Sequence, residues 1–114
     1  MNTLTIDVRT LADTLADTAE AMETLTPRPP RISFETPELL WKTLTLKRWE
    51  LLKALAGAGP VSIREAARRV GRDVKGVHTD AQALLNSGLL DKDEAGRIVF
   101  PYDAIHVDFV LKAA

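Results

Sequence analysis

The sequence predicts a small α+β domain, three helices and a β-hairpin around one core, preceded by an N-terminal strand and helix. Three observations predict it. Apolar residues recur at helical spacing on both sides of Gly71, with Ile63, Ala66, Ala67 and Val70 before it and Val77, Ala81, Leu84 and Leu85 after. Two short apolar runs, Leu89-Leu90 and Ile98-Val99-Phe100, bracket the polar turn Asp91 to Gly96. Leu4, Ile6 and Val8 alternate with Thr5 and Asp7, as a half-buried strand does. With 114 residues, 46% of them hydrophobic, the chain has material for one core. Three segments follow: a strand and amphipathic helix arm over 1–26, a Pro-rich linker and short strand over 27–36, and the helices, hairpin and a C-terminal strand over 37–114.

Each element has a local cause. After the first strand, the stretch from about Leu11 to Leu25 turns helical, with Val8, Leu11, Leu15, Met22 and Leu25 on a heptad-like seam broken by Thr18. A lone helix of this length is marginal, so it is expected to pack on its own domain, a sister subunit or another protein. Pro27, Pro29 and Pro30 stiffen the link to Arg31–Glu35, which alternates like a strand. Thr36-Pro37-Glu38 opens a helix, with threonine as cap and proline at the first position, carrying Leu39, Leu40, Trp41 and Leu44. From Thr45 to Ala56, Leu46, Trp49, Leu52, Leu55 and Ala56 share a face, and Gly57 and Gly59-Pro60 end the helix. Both tryptophans are read as core.

Ser62 followed by Glu65 is a capping box, which starts a helix whose outer face holds Arg64, Glu65, Arg68 and Arg69. Gly71 makes the turn, and Ala67 and Val77 on either side let two helices cross closely. Asp73 caps the next helix, which runs to Ser87 and stops at Gly88. Val74, Val77, Ala81, Leu84 and Leu85 gather on one side of it, Arg72, Lys75, Gly76, Thr79, Gln82 and Asn86 on the other. His78, at the boundary, is read as packed and bonded to neighbouring backbone. In the tail, Ile105, Val107, Phe109 and Leu111 alternate with His106 and Asp108, and the three period-two segments outside the hairpin suggest a small sheet, formed within one chain or shared between subunits.

Two helices joined at a tight glycine turn form a helix-turn-helix, and the following hairpin makes it a winged one. The outer face of the second helix, basic and amide-rich, suits duplex DNA: arginine and lysine bond guanine edges or phosphates, glutamine pairs with adenine, and threonine meets either. Arg72, Lys75, Thr79 and Gln82 are expected to face the major groove with Asn86 beside them, and Ser62, Arg64, Arg68 and Arg69 to rest on phosphates. An exposed glycine within a helix costs about 1 kcal/mol against alanine, so Gly76 is read as room for a sugar-phosphate backbone. In the hairpin, Lys92 and Arg97 serve the DNA backbone against the repulsion of Asp91, Asp93 and Glu94.

The run from Leu44 to Phe109, most specifically GRDVKGVH and GRIVFPYDAIHVDF, resembles a family of small MarR-like winged helix-turn-helix transcriptional regulators, some of them the antitoxin half of toxin–antitoxin pairs. The resemblance implies sequence-specific binding with the second helix of the motif in the major groove. A strict pattern has apolar residues where this chain has Arg72 and Asp80, so Val74, Val77 and Ala81 are expected to supply the core contacts.

The net charge of −1 and the pI near 6.1 are low for a DNA-binding domain, but the charge is unevenly spread. Residues 1–26 carry one basic and five acidic side chains, 27–61 six and three, 62–90 five and three, and 91–114 three and five. A basic centre between acidic ends fits a protein that touches phosphate with one face and something else with another. The readings are therefore a dimeric DNA-binding repressor or, second, an antitoxin whose N-terminal arm captures a cognate toxin. A chain with no cysteine and two distant histidines offers no metal site, and no nucleophile–base constellation or phosphate-cradling loop argues for an enzyme or a cofactor. Neither a signal peptide nor a membrane-length apolar run is seen, so a cytoplasmic protein is expected.

Overall fold

The computed structural model describes residues 2–10, 12, 13, 15, 16, 19, 22 and 30–110. Within them lies an α+β fold with four helices between residues 37 and 86, a three-stranded parallel sheet and a two-stranded hairpin. The sheet is built from both ends of the chain. Strand β1 (Thr3–Val8), rich in β-branched residues, is its centre, with β2 (Arg31–Phe34) on one side and β5 (Ala104–Asp108) on the other. Ile6 pairs with Ile32 and with Val107, which puts the apolar residues of all three strands on one face. Leu4 and Ile6 are buried in the main core, and Val8, Ile32, Phe34, Ile105 and Phe109 pack against it. On the opposite face the Asp7 carboxylate, 7% exposed, takes the Arg31 Nε–H at 3.1 Å and the Ser33 hydroxyl. A buried carboxylate on a central strand is tolerable because the neighbouring strand supplies its donors.

This arrangement bears on three expectations. The N-terminal strand is the middle of the sheet and not part of a detached arm, because only there do Leu4 and Ile6 leave water. The sheet forms within one chain and needs no sister subunit. Val8 belongs to β1 and not to the helical seam. Of the residues expected in that helix, Ala12, Asp13, Leu15, Ala16, Ala19 and Met22 are helical, with Leu15 and Met22 exposed, while Leu11, Thr18 and Leu25 lie outside the described residues.

Helix α1 (Pro37–Thr43) starts as expected: the Thr36 hydroxyl accepts the Leu39 N–H at 3.2 Å and Pro37 fills the first position. A helix of seven residues turns one stripe inward, here Leu40 with Leu44 beyond its end, so Leu39 and Trp41 stay exposed. Trp41 is thus not a core residue; its ring meets Phe109 edge-on at 5.8 Å. Helix α2 (Leu46–Leu55) buries Leu51, Leu52 and Leu55, half-buries Trp49, and leaves Leu46 74% exposed at its overhanging first turn.

Helices α3 (Ile63–Val70) and α4 (Val74–Asn86) meet at Gly71, whose φ of +69° is the left-handed conformation that glycine adopts without penalty. Ala67 and Val77 are both buried at the crossing. The Ser62 hydroxyl accepts the Glu65 N–H at 3.1 Å, but the reciprocal half of the capping box is replaced, because the Glu65 carboxylate is bound by Arg68 and Arg69. Strands β3 (Asp91–Lys92) and β4 (Ile98–Val99) form the hairpin, and Val61 joins its edge through two backbone hydrogen bonds with Ile98, of 2.9 and 2.8 Å. Ile98 and Phe100 are buried and fix the hairpin to the helices.

Because β1 sits between two partners, Ile6→Ala should lower unfolding free energy by about 2–5 kcal/mol in urea titration. Deletion of residues 1–26 should abolish the cooperative transition altogether; a truncated chain that still unfolds cooperatively would show that the sheet is dispensable.

Candidate nucleic-acid interface

Helix α4 places its long side chains according to one buried stripe, Val77, Ala81 and Leu84. Directly opposite, Lys75, Thr79, Gln82 and Asn86 stand exposed in line along the axis. The Thr79 hydroxyl donates to the Lys75 carbonyl at 3.2 Å, and the Gln82 Nε2–H donates to Asn86 Oδ1 at 3.2 Å. Both residues are exposed, so the Gln82 carbonyl oxygen and the Asn86 amide remain an acceptor and a donor on this face. Val74 and His78, expected against the core, are both exposed on the flank of this ridge facing the hairpin. Val74 begins the helix one turn before the buried stripe, beyond reach of the core. His78 borders a shallow depression lined also by Gln82, Leu85, Lys92 and Gly96, so the ridge and the hairpin meet there.

Arg72 does not join the ridge. Its Nη2–H donates to Asp80 Oδ2 at 2.8 Å, while Arg48, from α2, donates its Nε–H to Asp80 Oδ1 at 3.1 Å. Arg48 also donates from Nη1 to the Thr43 carbonyl at the end of α1, at 2.9 Å. The three side chains are only 13–20% exposed, and Arg72 Nη1 is buried without a hydrogen-bond partner. The two departures from an apolar pattern thus neutralise each other: the turn arginine and the helix aspartate occupy sites where hydrophobes are expected, and a third residue completes the pair. Burial is the largest single influence on Asp80 and raises its pKa. The hydrogen bonds from Arg72 and Arg48, with their charges, outweigh it and hold the carboxyl below its ordinary value.

Gly76 also has an internal reason. A Cβ there would stand 3.0 Å from Asp73 Oδ1 and 3.2 Å from Arg72 Nη2. The glycine makes room for the capping carboxylate, which accepts the Gly76 N–H at 3.0 Å, and for the arginine crossing above it to Asp80. Room for a nucleic-acid backbone is not needed to explain it.

On α3, Ser62, Arg64, Arg68 and Arg69 are exposed as expected, but Arg68 and Arg69 share the Glu65 carboxylate. Hydrogen bonds from Arg68 and then Arg69 lower the Glu65 pKa to about 2, so it stays charged and offsets part of their field. In the hairpin Lys92 and Arg97 are exposed, but Arg97 donates to Asp93 at 2.8 Å. The Asp93 carboxyl is held below its ordinary value, first by the Arg97 backbone N–H. Among the described residues of this face, Arg64, Lys75 and Lys92 are the cations without an ion pair. Sequence reasoning missed Arg48, Asp80 as its partner, and the outward turn of His78. The signal for the first two was the paired departure at Arg72 and Asp80.

Fold and face together define a small α+β protein that exposes a polar helix beside a short hairpin. The chain belongs to the HVO_A0114 family, whose model matches residues 43–107, from the end of α1 to the penultimate residue of β5. That match attaches no MarR-like or antitoxin identity. No curated protein and no solved structure matches the chain.

Removing Asp80 leaves two guanidiniums facing each other, so Asp80→Ala should cost about 3 kcal/mol in chemical denaturation. Joint replacement of Arg48, Asp80 and Arg72 by leucine or methionine should recover most of that loss. The pKa of Asp80 is depressed on folding, so its contribution is complete above 3.8 and is lost as pH falls through the folded value. Asp80→Asn should accordingly flatten the acid limb of the stability profile; an unchanged limb would show the trio to be energetically idle.

Proposed function

We propose that the chain is a winged helix-turn-helix regulator that binds duplex DNA sequence-specifically as a two-fold dimer, laying α4 in the major groove to repress transcription. The observation that carries this reading is the unbroken exposed ridge Lys75, Thr79, Gln82 and Asn86, opposite the buried stripe of the same helix. The preset Gln82–Asn86 pair suits the donor and acceptor edge of adenine, and exposed Val74 at the first turn suits a thymine methyl. Arg64 and Lys92 supply phosphate contacts on either side, with Ser62, Arg68, Arg69 and Arg97 behind them. Arg72 is a positioning residue in this scheme: it ties the turn to α4 and keeps the helix at a fixed angle.

Such a regulator works in the cytoplasm, and no helix among the described residues is long and apolar enough to cross a membrane. Toxin capture by residues 1–26 finds no support in β1, which is committed to the sheet.

Selection of bound duplexes from fragmented genomic DNA, followed by anisotropy titration, tests the reading. Gln82→Ala should cost about 1–3 kcal/mol at one base-pair position of the selected site and little on random duplex. Arg64→Ala should weaken all sequences alike and reduce the slope of log affinity against log salt by about one. Equal losses on selected and random DNA from both variants would overturn the groove assignment.

A further inference from the structure

Strand β5 is an edge. Among the described residues no strand lies beyond it, and the sheet order is β2-β1-β5. The Asp103 N–H points to the Asn2 carbonyl at 2.7 Å, on the β1 side. Within β5 the direction is set by β1: the Thr5 and Arg9 N–H groups donate to Pro30 and Phe34 on the β2 side, so Leu4 and Ile6 turn their groups to β5. There the Leu4–Ile105 and Ile6–Val107 register has Ala104, His106 and Asp108 answer them and leaves the N–H and C=O groups of Ile105 and Val107 on the open side. Natural proteins blunt such edges with lysine, proline, bulges or a covering element. Here the edge instead carries Val107, 38% exposed, and Val110, 73% exposed. Beside it runs a groove of about 740 Å³ lined on one wall by Leu46, Trp49 and Ala56 of the α2 region and on the other by Phe100, Ala104 and Ile105. Exposed Leu46, inexplicable as a core residue, belongs to that groove.

We propose that a second copy of this chain occupies this edge, its β5 antiparallel to the first, with the two-fold axis at Val107. The strand's own sequence selects the register. With Val107 opposite the partner's Val107, Ile105 faces the partner's Phe109, and Ala104 faces the partner's Val110. His106 then faces the partner's Asp108, and by symmetry Asp108 faces the partner's His106, an imidazole–carboxylate pair made twice. Every apolar residue meets an apolar one, and the charged groups meet their complements. The hydrogen-bonding directions agree: Ile105 and Val107 point outward, so Val107 and the partner's Val107 form a hydrogen-bonded pair on the axis, and the His106 and Asp108 pairs are non-bonded, the kind whose side chains stand closer. A two-residue slip that centres on His106 would set the histidines against each other and leave Asp108 opposite alanine. The contact is isologous and closes as a dimer, with the partner's Phe109 and Val110 brought to the Leu46–Trp49 groove. Two three-stranded sheets become one of six strands.

This deepens the reading of a two-fold regulator, yet it is measured without DNA, so the two fail separately. The chain has no cysteine, so Val107→Cys introduces a single thiol at the axis. A hydrogen-bonded antiparallel pair brings Cα atoms to about 5.5 Å, within disulfide reach. The full-length Val107→Cys chain should cross-link to a dimer under mild oxidation, and Ala104→Cys should not. In sedimentation, wild type should dimerise, and Val107→Arg should be monomeric with its circular-dichroism melt retained. His106→Asp should raise the dimer dissociation constant at least tenfold, and adding Asp108→His to it should restore affinity. A wild-type chain that stays monomeric at high concentration, a dimer indifferent to Val107→Arg, or a charge swap that fails to rescue would overturn the proposal. A dimer that passes every arm but binds no duplex would overturn the DNA reading alone.

Discussion

The carboxylate of Asp80 is the constraint on which the arrangement of the helices rests. It is reached by Arg72 from the turn and by Arg48 from α2, and Arg48 continues to the last turn of α1. Three helices and the Gly71 turn are thereby fixed to one group on the flank of α4. A purely apolar contact at this position would hold the helices together but would tolerate rotation about their axes, because dispersion and hydrophobic burial are non-directional. Two arginines, each donating one charge-assisted hydrogen bond to a different oxygen of one carboxylate, admit fewer orientations. The cost is desolvation, visible in the unpartnered Arg72 Nη1. Gly76 is part of the same device, since any larger residue would crowd the path from Arg72 to Asp80.

The local features of this fold were legible in the sequence because they depend on neighbours in the chain. The Thr36, Ser62 and Asp73 caps and the left-handed Gly71 and Gly88 follow from residues within four positions of each other, and the hairpin from a polar turn between two nearby apolar runs. What was not legible depends on long-range placement. Asp103 bonds to Asn2 across the length of the chain, and no periodicity announces that Leu4 and Ile6 will sit between β2 and β5. An alternating segment near a terminus reads equally well as an arm or as the middle of a sheet. Trp41 and Leu46 failed differently: both lie on helix faces that are apolar by pattern, but short helices give the core only one stripe.

The candidate interface was half legible for a related reason. Helical period alone places Lys75, Thr79, Gln82 and Asn86 on one line, and the structure keeps them there. Period alone also puts Arg72 beside them, yet it precedes the Asp73 cap and its backbone is not yet helical, so its side chain swings to the other flank. The electrostatics follow the same logic. Counting cations overstates the basic character of this face, because Glu65 occupies Arg68 and Arg69 and Asp93 occupies Arg97. A surface whose charge is partly self-compensated exerts less long-range attraction than its count of cations implies.

Helix α2 is what allows two surfaces to coexist on so small a chain. Its buried side, Leu51, Leu52 and Leu55, faces the core on which α3 and α4 pack. Its opposite side, Leu46, Trp49, Glu50 and Lys53, lines the groove beside β5. The polar ridge of α4 and the open edge of the sheet are therefore on separate flanks of one helix. Arg48, on the same helix, binds the carboxylate that orients α4.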